Sequence, residues 1–152
     1  MGFFLKFHVD DRGVLQYKMV YYKGKEIPYE VLRDEIGNII QYVYHVKLGA
    51  DNLAIVVDDE GLLKGLRPTF WLYDEGTRRV ESYPLVGNVL VVKVKGPETV
   101  GLTEDDVKKV LNMVMYDYSR VGFYALPLNN DYIKKANNNL NEFFRMLNSW
   151  YN

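Results

Sequence analysis

A chain of 152 residues, 48% hydrophobic and 26% charged, is long enough and apolar enough for one domain with a sizeable core, and it lacks the composition of a disordered chain. A formal charge of −1 excludes a globally basic nucleic-acid binder, so any contact with DNA would use a local basic patch. The absence of cysteine excludes disulfides, thiol catalysis and cysteine-ligated zinc. No apolar run approaches the ~18–20 residues of a membrane helix, and the first residues fit neither a cleavable leader nor a lipid anchor. A soluble, intracellular protein with no membrane partner is therefore expected.

In chain order, Phe3, Leu5, Phe7 and Val9 alternate with Lys6 and His8, which predicts a half-buried strand. Asp10-Asp-Arg-Gly13 is a turn signal. Val14 to Tyr22 alternates again, with Leu15, Tyr17, Met19 and Tyr21 expected to face inward, so the two segments read as a hairpin. Ile27 to Ile36 has Pro28 near its first helical position and Gly37 just past its end, the asymmetry of a short helix. Ile39 to Leu48 reads as a strand with Ile40, Tyr42, Tyr44, Val46 and Leu48 on one side. Leu53-Ala-Ile-Val-Val57 is an unbroken apolar run, as in a strand covered on both faces.

Asp58-Asp-Glu-Gly61 ends that run with a turn, and Pro68 limits how far a following strand can pair. Phe70-Trp-Leu-Tyr73 and Leu85 to Lys95 are further apolar stretches. Thr103 is a suitable N-cap, with Glu104, Asp105 and Asp106 in the first turn, where the helix dipole favours negative charge. Val107, Val110, Leu111, Val114 and Tyr118 form an amphipathic stripe that Gly122 would end. A last helix is expected from Asn129 or Asn130, with Ile133, Ala136, Leu140, Phe143, Phe144, Leu147 and Tyr151 on its apolar side. Strands first and long helices last predict one α+β domain over 1–152. Its sheet should be mostly antiparallel, with a short helix after the first hairpin and two amphipathic helices at the C-terminus.

The usual motifs are missing: no glycine-rich phosphate loop, no G-x-S-x-G and no histidine pair at metal-binding spacing. Carboxylates on or beside strands remain. Phosphodiester hydrolysis commonly uses Mg²⁺ or Mn²⁺ held by one or two carboxylates, the ion supplying hydroxide and neutralising charge on the phosphorus oxygens. Glu81, preceded by Arg78 and Arg79, combines a candidate metal ligand or base with two phosphate-binding guanidiniums. The same residues also fit an exposed strand with a cross-strand ion pair. Asp58, Asp59 and Glu60 could assist, Asp58 and Glu60 as further metal ligands, or they could simply solvate a turn. Lys93 and Lys95 could meet DNA or protect an edge strand.

His8 and His45 lack a partner at recognisable spacing and read as surface histidines. Among 13 tyrosines, Tyr17, Tyr21, Tyr42 and Tyr44 stand at strand spacing, where they could stack bases, anchor a protein partner or fill the core.

Four segments carry a resemblance: Ile36-Gly-Asn38, Asp58-Asp-Glu-Gly-Leu-Leu-Lys-Gly-Leu-Arg-Pro68, Leu85-Val-Gly-Asn-Val-Leu-Val-Val92 and Leu102-Thr-Glu-Asp-Asp106. Over roughly 30–112 the chain resembles a family of phage and plasmid proteins of unknown function, marked by N-E-E-G, P-N-R, a G-(N/D)-hydrophobic strand and an L-T-x-E/D helix start. Asp58 replaces that family's asparagine, and Pro68-Thr69-Phe70 replaces P-N-R. The resemblance implies mobile elements and viruses as company, and no chemistry.

The whole chain is also loosely similar to small nucleases of filamentous archaeal viruses. Two functions are expected on these grounds. The first is a virus- or mobile-element-encoded nuclease hydrolysing DNA with a divalent metal at Glu81. The second is a non-catalytic accessory protein that binds a host or defence protein through its aromatic residues.

Overall fold

The computed structural model describes residues 2–12, 15–70, 72–74, 79–80, 84–113, 115–116 and 124–125. Strands β1 (Gly2–Val9) and β2 (Leu15–Tyr22) come first, then helix α1 (Tyr29–Ile36), β3 (Ile40–Val43), the single helical turn α2 (Val46–Gly49) and β4 (Leu53–Asp58). The short strands β5 (Pro68–Phe70), β6 (Tyr73–Asp74), β7 (Arg79–Val80) and β8 (Leu85–Val86) lead to β9 (Val89–Lys95) and β10 (Glu98–Val100). Helix α3 (Glu104–Met113) and the pair β11 (Met115–Tyr116) and β12 (Tyr124–Ala125) follow.

The main sheet runs β2-β1-β9-β4-β3 with every pairing antiparallel. Lys93 of β9 is opposite Leu53 of β4 and Val100 of β10, which places β10 on the β1 side of β9. The class is α+β, as expected.

Two apolar layers sandwich this sheet. On one face Leu5, Phe7, Ile55, Val91 and Leu48 meet Phe70 of β5 and Val107 and Val110 of α3. On the other, Phe4, Val56, Leu90 and Val92 meet Leu32 and Ile36 of α1. Every residue of β4 is buried, which explains its unbroken apolar run: alternation is lost when neither face sees water. Helix α1 begins after Pro28 and ends at Gly37, whose φ of 85° lets its N–H reach the Arg33 carbonyl at 2.7 Å.

Three expectations are corrected. The row Tyr17, Met19 and Tyr21 does lie on the face of Phe3, Leu5 and Phe7, its directly opposed partners in β1. It is nevertheless 48%, 39% and 60% exposed. Strand β2 is the outermost strand among the described residues, beyond the cover given by α3 and β5. Second, the strand expected over Ile39 to Leu48 stops at Val43. Gly49 N–H closes a helical turn on the His45 carbonyl at 2.7 Å, which sends Leu48 into the α3-side core while Ile40 and Tyr42 pack on the α1 side. Third, α3 ends at Met113, and Met115–Tyr116 pairs with Tyr124–Ala125. Val114 and Tyr118, the last two expected members of its apolar stripe, lie outside the described residues. The helix expected after Asn129 also lies outside them.

Tyr22 ties the first hairpin to Gly101, the residue that follows β10. Its hydroxyl accepts the Gly101 N–H at 2.7 Å, and a Cβ on Gly101 would stand 2.6 Å from the Phe3 carbonyl oxygen. Tyr22→Phe should therefore cost about 1–2 kcal/mol by leaving that amide unpaired. Gly101→Val, which forces backbone apart, should cost about 3 kcal/mol or more. Urea denaturation followed by circular dichroism measures both.

Candidate functional site

The end of β4 is where the buried strand first carries charge. Asp58 is buried, and its carboxylate is the hub of the turn that follows. Oδ1 accepts the Glu60 N–H at 2.8 Å and the Asn38 amide at 2.9 Å, and Oδ2 accepts Lys64 Nζ at 2.8 Å. Asn38 also donates to Glu60 Oε1 at 3.0 Å, which binds the residue after the α1 terminus to the acidic turn. The backbone closes the rest: Asp59 N–H reaches the Ile39 carbonyl at 3.0 Å, Lys64 N–H the Glu60 carbonyl at 3.0 Å and Leu66 N–H the Gly61 carbonyl at 3.1 Å. A Cβ on Gly61 would lie 2.7 Å from Val86 Cγ2, so this position of the turn lies directly against β8. Three donors already occupy Asp58, and the Lys64 ammonium supplies its countercharge.

Held this way, the segment points two leucines outward. Leu62 is 55% and Leu63 87% exposed, close in the chain to the exposed acids Asp59 and Glu60.

Burial opposes ionisation of Asp58, yet hydrogen bonds from Lys64, Asn38 and the Glu60 amide, with the Lys64 charge, outweigh it and hold the carboxyl below its ordinary value. Asp106 repeats the arrangement at the start of α3. Burial again opposes ionisation, and the Thr103 amide, Lys93 and the Thr103 hydroxyl reverse the sign. Thr103 N–H donates to Asp106 Oδ2 at 2.9 Å and Asp106 N–H to Thr103 Oγ1 at 3.1 Å, a reciprocal cap with Lys93 Nζ 3.2 Å from the same Oδ2.

Lys93 is thereby a partner for a buried acid on an interior strand, which corrects the edge-strand reading. Lys95 is exposed and opposite Glu98. Glu81 and Arg78 lie outside the described residues, and Arg79 is in β7, in register with Asp74. Asp58, Asp59 and Glu60 are brought together at one turn, at the end of β4, whereas Lys93 and Lys95 belong to the β9–β10 pairing. Among the described residues no three of His, Asp and Glu form a group that could hold a metal ion.

His8 is half-buried, with a buried Nδ1 that meets no hydrogen-bond partner among the described residues. Tyr42 and Tyr44 stack at 6.3 Å, and the Tyr42 hydroxyl shares a 2.7 Å hydrogen bond with Thr99. The tyrosine pairs thus stand at opposite borders of the sheet, Tyr17 and Tyr21 on β2 and Tyr42 on β3. No helix among the described residues is long and apolar enough to cross a membrane.

Sequence reasoning missed Leu62, Leu63 and the Asn38–Asp58–Lys64 network. The available signal was a leucine pair inside a run of acids, glycines and lysine, where apolar side chains have no strand or helix period to bury them.

These features define a small α+β domain built on an antiparallel sheet, with an acid-pinned turn at the end of its most buried strand. The chain belongs to the family described as a domain of unknown function (DUF3846), which matches residues 14–115. No curated protein and no solved structure matches the chain.

Removing the hub should loosen the turn in a graded way. Asp58→Asn keeps an acceptor for the Glu60 amide but loses the ion pair, and should cost about 1 kcal/mol; Asp58→Ala strands Asn38, Lys64 and that amide, and should cost about 2–3 kcal/mol. Equilibrium urea unfolding at neutral pH separates the two. Both acids titrate below 3.8 when folded and near that value when unfolded, so the unfolded chain binds more protons between the two values. Their stabilisation should be complete above about pH 5 and lost as pH falls through 3.8 and below. The double variant Asp58→Asn/Asp106→Asn should show a flatter fall in urea midpoint over that window than wild type.

Proposed function

We propose that this protein works as a non-catalytic accessory protein that binds another protein, and that the turn after β4 is its contact. The observation that carries this reading is Leu63, 87% exposed on a turn that a buried carboxylate, a lysine and an asparagine hold in place. Flexible loops expose apolar residues at little consequence. Here a buried charge is desolvated and matched to one geometry, and two leucines beside Asp59 and Glu60 are what that geometry presents.

An apolar anchor with an acidic rim suits a partner that offers an apolar pocket bordered by lysine or arginine. In the mobile-element setting that the sequence resemblance implies, that partner is a host or defence protein.

A second reading, hydrolysis of DNA with Mg²⁺ or Mn²⁺ centred on Glu81, draws on the place of Glu81 directly after β7, which holds Arg79, with the exposed carboxylates of Asp59 and Glu60 as its other components. One pair of experiments decides between them. Affinity capture from a host lysate with wild type should yield a stoichiometric complex that weakens tenfold or more in Leu62→Asp/Leu63→Asp, consistent with hot-spot losses of about 2 kcal/mol or more. Purified wild type should leave linear double-stranded DNA intact with Mg²⁺, Mn²⁺ or EDTA. Metal-dependent cleavage by wild type that disappears in Glu81→Ala would instead establish the nuclease.

A further inference from the structure

The β2 border of the sheet differs from the β3 border in ways that matter for association. Strand β3 has four residues, whereas β2 has eight, in unbroken register with β1 from Gly2–Tyr22 to Val9–Leu15. It contains no proline, glycine or bulge, the devices that usually disable an edge, and its single lysine, Lys18, points to the face opposite the tyrosine row. Among the described residues no strand pairs with its outer side. A long, regular strand with an open outer side and an apolar row along one face is a template for another strand.

We infer that β2 is the interface of a homodimer, in which it pairs antiparallel with β2 of a second copy about a two-fold axis at Met19, joining the two sheets into one. The occupant follows from the sequence of the strand itself. In an antiparallel pair, directly opposed residues share a face, so a symmetric pairing must be centred on a residue. Centring on Lys18 would set two ammonium groups against each other, a destabilising opposition. Centring on Tyr17 or Val20 would leave part of the row without an apolar partner. Centring on Met19 sets Tyr17 opposite Tyr21 of the partner subunit, Met19 opposite Met19 of the partner subunit, and Lys18 opposite Val20 of the partner subunit. The whole Tyr-Met-Tyr row is then matched twice over, and the like charges are offset. Phe3 and Phe7, each 6.0 Å between ring centroids from Tyr21 and Tyr17, continue the apolar surface inward, so the paired row rests on an existing aromatic layer.

The chain has no cysteine, so single cysteines introduced into β2 report the register without background. The 152-residue chain should sediment as a species of twice 17.8 kDa, and Met19→Lys, which places like charges on the axis, should sediment at 17.8 kDa with an unchanged circular dichroism spectrum. Under mild oxidation Met19→Cys should form a disulfide-linked dimer, because opposed Cα atoms stand about 4.5–5.5 Å apart, within disulfide reach. Lys18→Cys should not, its two copies being diagonal neighbours about 7–8 Å apart. Tyr17→Cys and Tyr21→Cys should each remain uncrosslinked alone and link when mixed.

A wild-type chain that stays at 17.8 kDa over the range from micromolar to several hundred micromolar overturns the inference, and the row is then covered within the chain or by a different protein. A dimer in which Met19→Cys fails to link while Lys18→Cys links overturns the register. A dimer that survives Met19→Lys and gives no β2 crosslink places the interface elsewhere and overturns the inference as well.

Discussion

The antiparallel pair of β4 and β9 sets the terms for the rest of the molecule. Leu53 to Val56 stand opposite the β9 residues from Lys93 back to Leu90, and both faces of this pair are apolar. Such a pair is stable only when each face is covered and each backbone group is bonded sideways. Helix α1 meets the first demand on one side, and α3 with β5 on the other; β1 and β3 meet the second. The centre of the sheet is thereby closed to solvent.

Both acids that are buried among the described residues belong to this arrangement. Asp58 leaves β4 at its end and Asp106 lies against β9 through Lys93. Each is neutralised by one lysine and accepts one backbone amide, Asp58 the side-chain amide of Asn38 as well, so a charge that would be costly alone becomes the bracket of a turn or a helix start. Asp58, a candidate metal ligand in the sequence, here braces the turn that follows β4. Of the segments that carry the family resemblance, the one ending at Asn38, the acidic turn and the strand after Leu85 meet around Asp58, Gly61 and Val86.

The acid-pinned turn and the β2 border solve different problems. The turn uses a buried charge network to hold a segment on which two leucines are exposed. The border holds no buried charge; its exposure follows from β2 being outermost among the described strands, and its regularity leaves it able to pair. Among the described residues, both regions stand out as departures from the rules that the core obeys, in one case a buried charge and in the other a regular edge strand.

Much of the architecture was legible because it rests on local physics. Pro28 and Gly37 bounded α1, Thr103 began α3, and the unbroken run Leu53–Val57 marked the strand covered on both sides. Alternation also assigned Phe3, Leu5 and Phe7 to one face, and Tyr17, Met19 and Tyr21 to the same face across the hairpin. Depth was not legible: period tells which side a residue faces, and only the strand order tells whether anything lies on that side. For the same reason Lys93 looked like an edge lysine until β9 proved interior, and Leu48 looked like one more strand residue until a helical turn carried it to the opposite core. The Asp58 network was beyond sequence reading because the β3–β4 pairing brings Asn38 beside Asp58 while the turn folds Lys64 back onto it, and spacing along a chain carries no record of which strands become neighbours.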